Sequence, residues 1–136
     1  MFKFIKDIIN EREYELKNNS RKVNIAIKRI KNIKDFNDSL ISLSEIGLDN
    51  GYFIYNKPNF ASFGLKNKVD IVWTNWDGKI INIEEFFKTN KISQQYRNAK
   101  FIYIFKAGTV NRKKIIMNDV LTHFYDRKKN KNNSII

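Results

Sequence analysis

Asp70, Asp77 and Lys79 are the residues whose types and spacing come nearest to catalysis. A carboxylate followed by D-x-K is a pattern by which nucleases hold Mg²⁺ between acidic groups and set a lysine beside the attacking water. That chemistry needs the second acid and the lysine to project together from one strand. In "NWDGK", however, Asp77-Gly78 reads as a hairpin tip, because Asp-Gly supplies the positive φ of a tight primed turn. Asp77 then belongs to the turn and Lys79 to the outgoing strand, so a metal-dependent hydrolase is the third of three readings. His123 is the single histidine. It has no G-x-S-x-G or comparable nucleophile context and reads as a strand residue rather than a general base. Glu84 and Glu85 are adjacent, so in a strand they point to opposite faces and cannot act as an acid–base couple. The glycines at 47, 51, 64, 78 and 108 form neither G-x-G-x-x-G nor a P-loop. With no cysteine, disulfides and thiolate-bound zinc are excluded. The expectation is a domain with no catalytic residue, no metal and no cofactor.

The elements that position these residues are mostly strands. Residues 2–17 have a helical stripe of Phe2, Ile5, Ile9 and Leu16, with Ile8 beside it, and predict an amphipathic helix. Glu11, Glu13 and Glu15 would be repelled by anionic lipid, so the helix is expected to dock on its own domain or a partner. "NNSRK" reads as a linker. Val23, Ile25 and Ile27 alternate as a strand, a short helix is expected over 36–43, and Asp49-Asn50-Gly51 is a turn. Further strands follow in "YFIY", "FASFGL", "VDIVW", "KIINI", "AKFIYIF" and "VLTHFY". The middle of "AKFIYIF" is apolar on both faces and stops at Ala107-Gly108. Small residues there let the chain turn off a doubly buried strand, with Thr109 available to cap a short helix. The fold class expected is mainly β with short helices (α+β). Its architecture is a jelly-roll-like β-sandwich or partly open barrel, preceded by the N-terminal helix. The division is 1–20 amphipathic helix and linker, 21–125 a single β-rich domain, and 126–136 a basic tail expected to be disordered.

The net charge of +12 raises the question of nucleic acid. Lys, Asn and Ile supply 60 of the 136 residues, and all three are read from A/T-rich codons, so lysine abundance alone does not mark a phosphate-binding face. Lysines number 20 and arginines only 6, although arginine is the better bidentate phosphate ligand. A nucleic-acid reading would use Lys28, Arg29, Lys31 and Lys34, or Arg112, Lys113 and Lys114, with Trp73, Trp76 and Tyr96 to stack on bases. No segment approaches the ~18 apolar residues of a membrane span, and the first residues lack a signal-peptide pattern, so a cytoplasmic location is expected.

Four segments carry a family resemblance. "AKFIYIFKAGTVNRKKIIMND" resembles the closing motif A-K-Y-V-L-E-L-x-A-G-T-V-x-x-x-x-I-x-x-G-D of domain-of-unknown-function family 192, a group of small bacterial and archaeal proteins. Ala99, Lys100, Ala107, Gly108, Thr109, Val110, Ile115 and Asp119 match, with Asn118 where glycine is usual. "WTNWDGKIINI" is similar to the family's Asp-Gly-Lys hairpin. "SFGLKN" resembles S-F-W-M-K-N at Ser62, Phe63, Lys66 and Asn67. "SLISLSEIGLDNGYFI" matches a further motif at Leu40, Ile46 and Gly51, with Leu43 where arginine is usual. The resemblance spans about residues 23–122 and implies a jelly-roll-like β-rich domain with short helices; it brings no established activity. The leading expectation is a non-enzymatic domain that binds an unknown small ligand or protein near Phe63, Lys66 and Asn67. Electrostatic nucleic-acid binding is the alternative.

Overall fold

A computed structural model describes residues 9–30, 46–57 and 59–125 of the chain. Strand β1 (Ile9–Asn18) runs antiparallel to β2 (Arg21–Ile30). Asn19 and Ser20 between them both take positive φ, 52° and 66°, which is the geometry of a two-residue primed turn. The amphipathic helix expected over 2–17 is thus corrected from residue 9 onward, where the chain is a strand, and "NNS" is a hairpin turn rather than a linker. Residues 1–8 lie outside the described part. Tyr14 and Leu16 pack on the core while Glu13 and Lys17 are exposed, a period of two. A short isolated helix gains little until its stripe is covered. The same segment as a strand gains hydrogen-bonded ladders to β2 on one side and β7 on the other.

The remaining strands are β3 (Asn50–Tyr55), β4 (Val69–Thr74), β5 (Ile80–Phe87), β6 (Phe101–Lys106) and β7 (Leu121–Phe124), with one helical turn, α1 (Thr109–Arg112), between β6 and β7. The order β5-β4-β6-β3-β2-β1-β7 makes one seven-stranded sheet that does not close. The protein is therefore mostly β, as its strand patterns predict. Two separately packed sheets, as in a jelly roll, are not present among the described residues: β6 and β3 continue the ladder from β4 to β2, so every strand stays in one sheet. Among the described strands only β2 and β3 pair in parallel. The helix expected over 36–43 and the tail 126–136 lie outside the described residues.

The doubly apolar segment becomes β6, at the centre of the β5–β4–β6–β3 half of the sheet. Ile102 and Ile104 face one core, with Trp73, Ile71, Ile54 and Phe60. Tyr103 and Phe105 face the other, with Phe53, Ile27, Leu16 and Val72. In β3, a Cβ on Gly51 would meet the Ile104 carbonyl oxygen and the Phe105 ring at 2.8 Å, so this strand position holds a glycine because the Phe105 side chain lies across it.

The starts of the two edge strands are tied together. Lys79 and Val120 form a β-bridge, Ile80 N–H donates to the Asp119 carbonyl at 2.8 Å, and Leu121 N–H donates to the Gly78 carbonyl at 2.8 Å. Asp119 locks the corner with its side chain. Its carboxylate accepts from Asn18 Nδ2 (3.0 Å), Asn19 Nδ2 (2.9 Å) and Ile116 N–H (3.1 Å). Burial opposes the Asp119 charge, but these donors and Arg21 outweigh it and hold its pKa below the usual carboxylate value.

Candidate ligand-binding site

The three residues considered for metal chemistry do not come together. Asp70 is fully buried on the inner face of β4. Its Oδ1 accepts from Phe86 N–H at 2.9 Å, and its Oδ2 accepts from Gly108 and Val110 N–H at 3.0 and 2.9 Å. Asp77 and Lys79 are exposed in the β4–β5 turn, beyond the opposite end of the strand. There Asn75 Oδ1 accepts from Asp77 N–H at 2.9 Å and Lys79 N–H at 3.0 Å, and Gly78 has φ +85°, so the hairpin reading holds. No group of three or more His, Cys, Asp or Glu among the described residues is placed to hold a metal ion. The Ala107-Gly108 corner is likewise structural. Gly108 takes φ +93° as the N-cap of α1, and no side chain caps from within the turn, so Thr109 does not have the role expected of it. The capping acceptor is Asp70, reaching across from β4.

Phe63, Lys66 and Asn67 are exposed and line neither of the two cavities described below. Their segment is a turn anchored by buried Ser62. Its Oγ donates to the Lys88 carbonyl at 2.6 Å and accepts from Lys91 N–H at 3.0 Å. Of the three stacking candidates, Trp73 is fully buried, and Tyr96 packs on it at 4.7 Å with its hydroxyl engaged by Asn82 and Glu84. Only Trp76 is open, at 60% exposure. Arg112 and Lys113 pair with Asp49 at 2.7 and 3.3 Å, which absorbs much of that basic cluster. Lys31 and Lys34 lie outside the described residues.

A different site forms on the inner face of the sheet. Tyr14, Arg29, Phe53, Tyr55, Phe101 and His123, contributed by β1, β2, β3, β6 and β7, line a cavity of about 170 Å³. Strand register assembles it: Arg29 lies beside Phe53, and Tyr55 lies opposite Phe101. The His123 ring lies tilted over Phe53 at 4.2 Å and meets Phe101 at 5.1 Å and Tyr14 at 5.4 Å edge to face. Its Nδ1 is 2.7 Å from the Tyr103 hydroxyl. Burial, with the Arg29 charge added, lowers the His123 pKa to about 4, so the imidazole is neutral at pH 7. Burial also raises the Tyr103 pKa, so its hydroxyl keeps its proton, and it shares a hydrogen bond with Nδ1 whose direction follows the imidazole tautomer.

Arg29 is the unusual member. Val23, Ile25 and Ile27 face the core, and the same alternation carries Arg29 to the inner side. Its guanidinium lies 5.9 Å over the Tyr55 ring, and its buried Nε–H has no hydrogen-bond partner. A cation therefore sits in an aromatic wall with donor capacity unspent. Among the described residues no carboxylate lines the cavity. Sequence reading missed this site, although its signal was present: an arginine continuing the inward face of an otherwise apolar strand.

The aromatic wall continues outward. Trp76 meets Tyr55 at 5.5 Å and Phe101 at 6.1 Å, and it borders an open groove of about 560 Å³ with Lys79, Asn98, Lys100, Met117 and Asn118. Lys100 Nζ is 5.7 Å from the Trp76 ring centre. No helix among the described residues is long and apolar enough to cross a membrane.

No family model and no curated protein match the chain. Solved structures that it resembles include a protein of unknown function from Novosphingobium aromaticivorans DSM 12444. That protein is 13% identical, over 81% of this chain and 83% of its own, with a TM-score of 0.68. Another, from Sinorhizobium meliloti 1021 and described as a proposed transcription regulator, is 18% identical over 82% of this chain and 92% of its own, with a TM-score of 0.69. At these identities the likeness is one of fold.

Proposed function

We propose that the protein is a non-enzymatic binding domain whose ligand enters the Arg29–His123 cavity. This moves the site from Phe63, Lys66 and Asn67 to the inner face of the sheet. The observation that carries the reading is Arg29: a guanidinium with an unpartnered Nε–H, set among aromatic rings in a cavity with no carboxylate among its described lining residues. Arg29 is half-buried, and covering its Nε–H is costly unless an acceptor pairs with it. A ligand bearing an anionic group supplies the pair, and the rings accept a flat apolar body. The volume suits one six-membered ring, since an apolar cavity of about 150 Å³ holds benzene.

The curled sheet, with its edge strands bridged at one end, is taken as a partly open barrel, and binding sites favour the mouths of barrels. The resemblance to domain-of-unknown-function family 192 is kept as a proposal. Its motif residues Gly108, Val110, Ile115 and Asp119 have structural places here, in the turn after β6, in the core and in the β1–β2 corner.

Benzoate is a minimal probe with a flat ring and one carboxylate. Titration calorimetry at neutral pH should show saturable binding, and Arg29→Met should weaken it about ten-fold or more by removing a charge-assisted hydrogen bond. Equal affinity of the two proteins, or no binding by the parent chain at millimolar benzoate, removes the reading.

A further inference from the structure

We infer that the cavity is the centre of a longer track that takes single-stranded nucleic acid. The inference rests on reading the cavity as a site for a flat anionic group, and it names that group as a nucleotide in a strand. Successive rings neighbour one another from the groove to the far side of the cavity: Trp76 to Phe101 at 6.1 Å, Phe101 to His123 at 5.1 Å, His123 to Tyr14 at 5.4 Å, and Tyr14 to Tyr125 at 5.9 Å. Cations are interleaved along this row. Lys100 lies 5.7 Å from the Trp76 ring, Arg29 lies 5.9 Å from Tyr55, and the Arg12 guanidinium lies 4.4 Å from Tyr125.

Aromatic platforms beside positive charge are what a single strand requires, because each unpaired base offers a π-face and each linkage a phosphate. A duplex hides its faces in the stack and cannot use such a row. At the open end, Trp76 is 60% exposed. Asn98 and Asn118 line the groove beside it and carry amides that suit base edges, while Asp77 is the one carboxylate among its described lining residues. The net charge of +12 supplies a long-range field of the right sign. A peptide partner would fit the rings but would not account for cations at both ends and the middle of the row.

The experiment is fluorescence anisotropy with a dye-labelled oligothymidylate of about fifteen nucleotides. Micromolar binding is expected at low salt. With roughly three phosphates neutralised, affinity should fall about twenty-fold between 50 and 200 mM salt. Trp76→Ala should weaken binding about ten-fold and Arg29→Met by a similar factor, and a duplex of the same length should bind at least about ten-fold more weakly. No binding at low salt overturns the proposal. So does binding that a duplex matches and Trp76→Ala leaves unchanged, which is diffuse attraction to lysines. Self-association of the chain in light scattering that Trp76→Ala abolishes also overturns it, since a second copy then covers the groove. Benzoate separates the two readings. If benzoate binds in an Arg29-dependent way and the oligonucleotide does not bind, the track fails and the cavity reading stands. If the oligonucleotide binds with both Trp76 and Arg29 dependence and benzoate does not bind, the free small-ligand reading fails, and the cavity takes its flat anionic group only as part of a strand.

Discussion

Asp70→Ala is expected to lower the unfolding free energy by about 3–5 kcal/mol, enough to unfold much of the population of a marginally stable domain. The side chain is fully buried, and its two oxygens serve three backbone amides from two distant parts of the chain. One is Phe86, which lies 16 residues away and has φ +53°, a conformation that a non-glycine residue holds only when its surroundings impose it. The others are Gly108 and Val110, at the start of α1. Alanine removes every acceptor at once and leaves three amides without partners, each at a cost of about 1–3 kcal/mol less whatever water recovers. Asp70→Asn should lie between alanine and the parent. Its single carbonyl oxygen serves either Phe86 or the Gly108–Val110 pair, and its NH₂ group then faces a donor. Urea unfolding gives the magnitudes, and amide exchange at Phe86, Gly108 and Val110 should accelerate more than elsewhere. A loss below about 1 kcal/mol for the alanine variant would show that the three amides find other acceptors.

Asp70 also shows what the sequence conveys and what it hides. Beside Asp77 and Lys79 it has the spacing of a metal ligand, yet its partners are backbone amides 16, 38 and 40 residues away, which no local pattern announces. The central strand β6 was legible because burial on both faces removes polar residues from its middle. The β4–β5 hairpin was legible because Asp77-Gly78 carries its own turn geometry. The first strand was not. Ile9 and Leu16, seven residues apart, satisfy a helical stripe but fall on opposite faces of a regular strand, and β1 departs from regular register between them. The deciding feature was Asn19-Ser20, whose positive φ values return the chain as a hairpin. The cavity lay in between. Alternation places Arg29 and His123 on inner faces, but only the curl of the sheet brings β7 against β3 and β6 across the interior.

Stability is expected to fall on acidification between about pH 6.5 and about pH 4, and His123 is the cause. Burial and the Arg29 charge lower the folded pKa to about 4, whereas the unfolded chain keeps the ordinary value of 6.5. Between those limits the unfolded state binds more protons than the folded state, so stability rises with pH across the window and is lost as pH drops. A shift of that size corresponds to at most about 3.5 kcal/mol, and the half-buried ring is partly screened, so about 2 kcal/mol is expected. Asp119 does not confound the window. Its folded pKa lies below 3.8, so the stability it contributes is present above the unfolded value and lost only at lower pH. His123→Gln keeps a hydrogen-bonding partner for the Tyr103 hydroxyl and removes the titration. Its unfolding free energy should therefore change little between pH 7 and about pH 4.5, while that of the parent falls. Arg29→Met should give an intermediate slope, because it removes the charge and leaves the burial. Parallel pH profiles for the parent and His123→Gln would show that the imidazole takes up its proton inside the folded domain as easily as in the open chain, and the cavity would then be wetter than its aromatic wall implies.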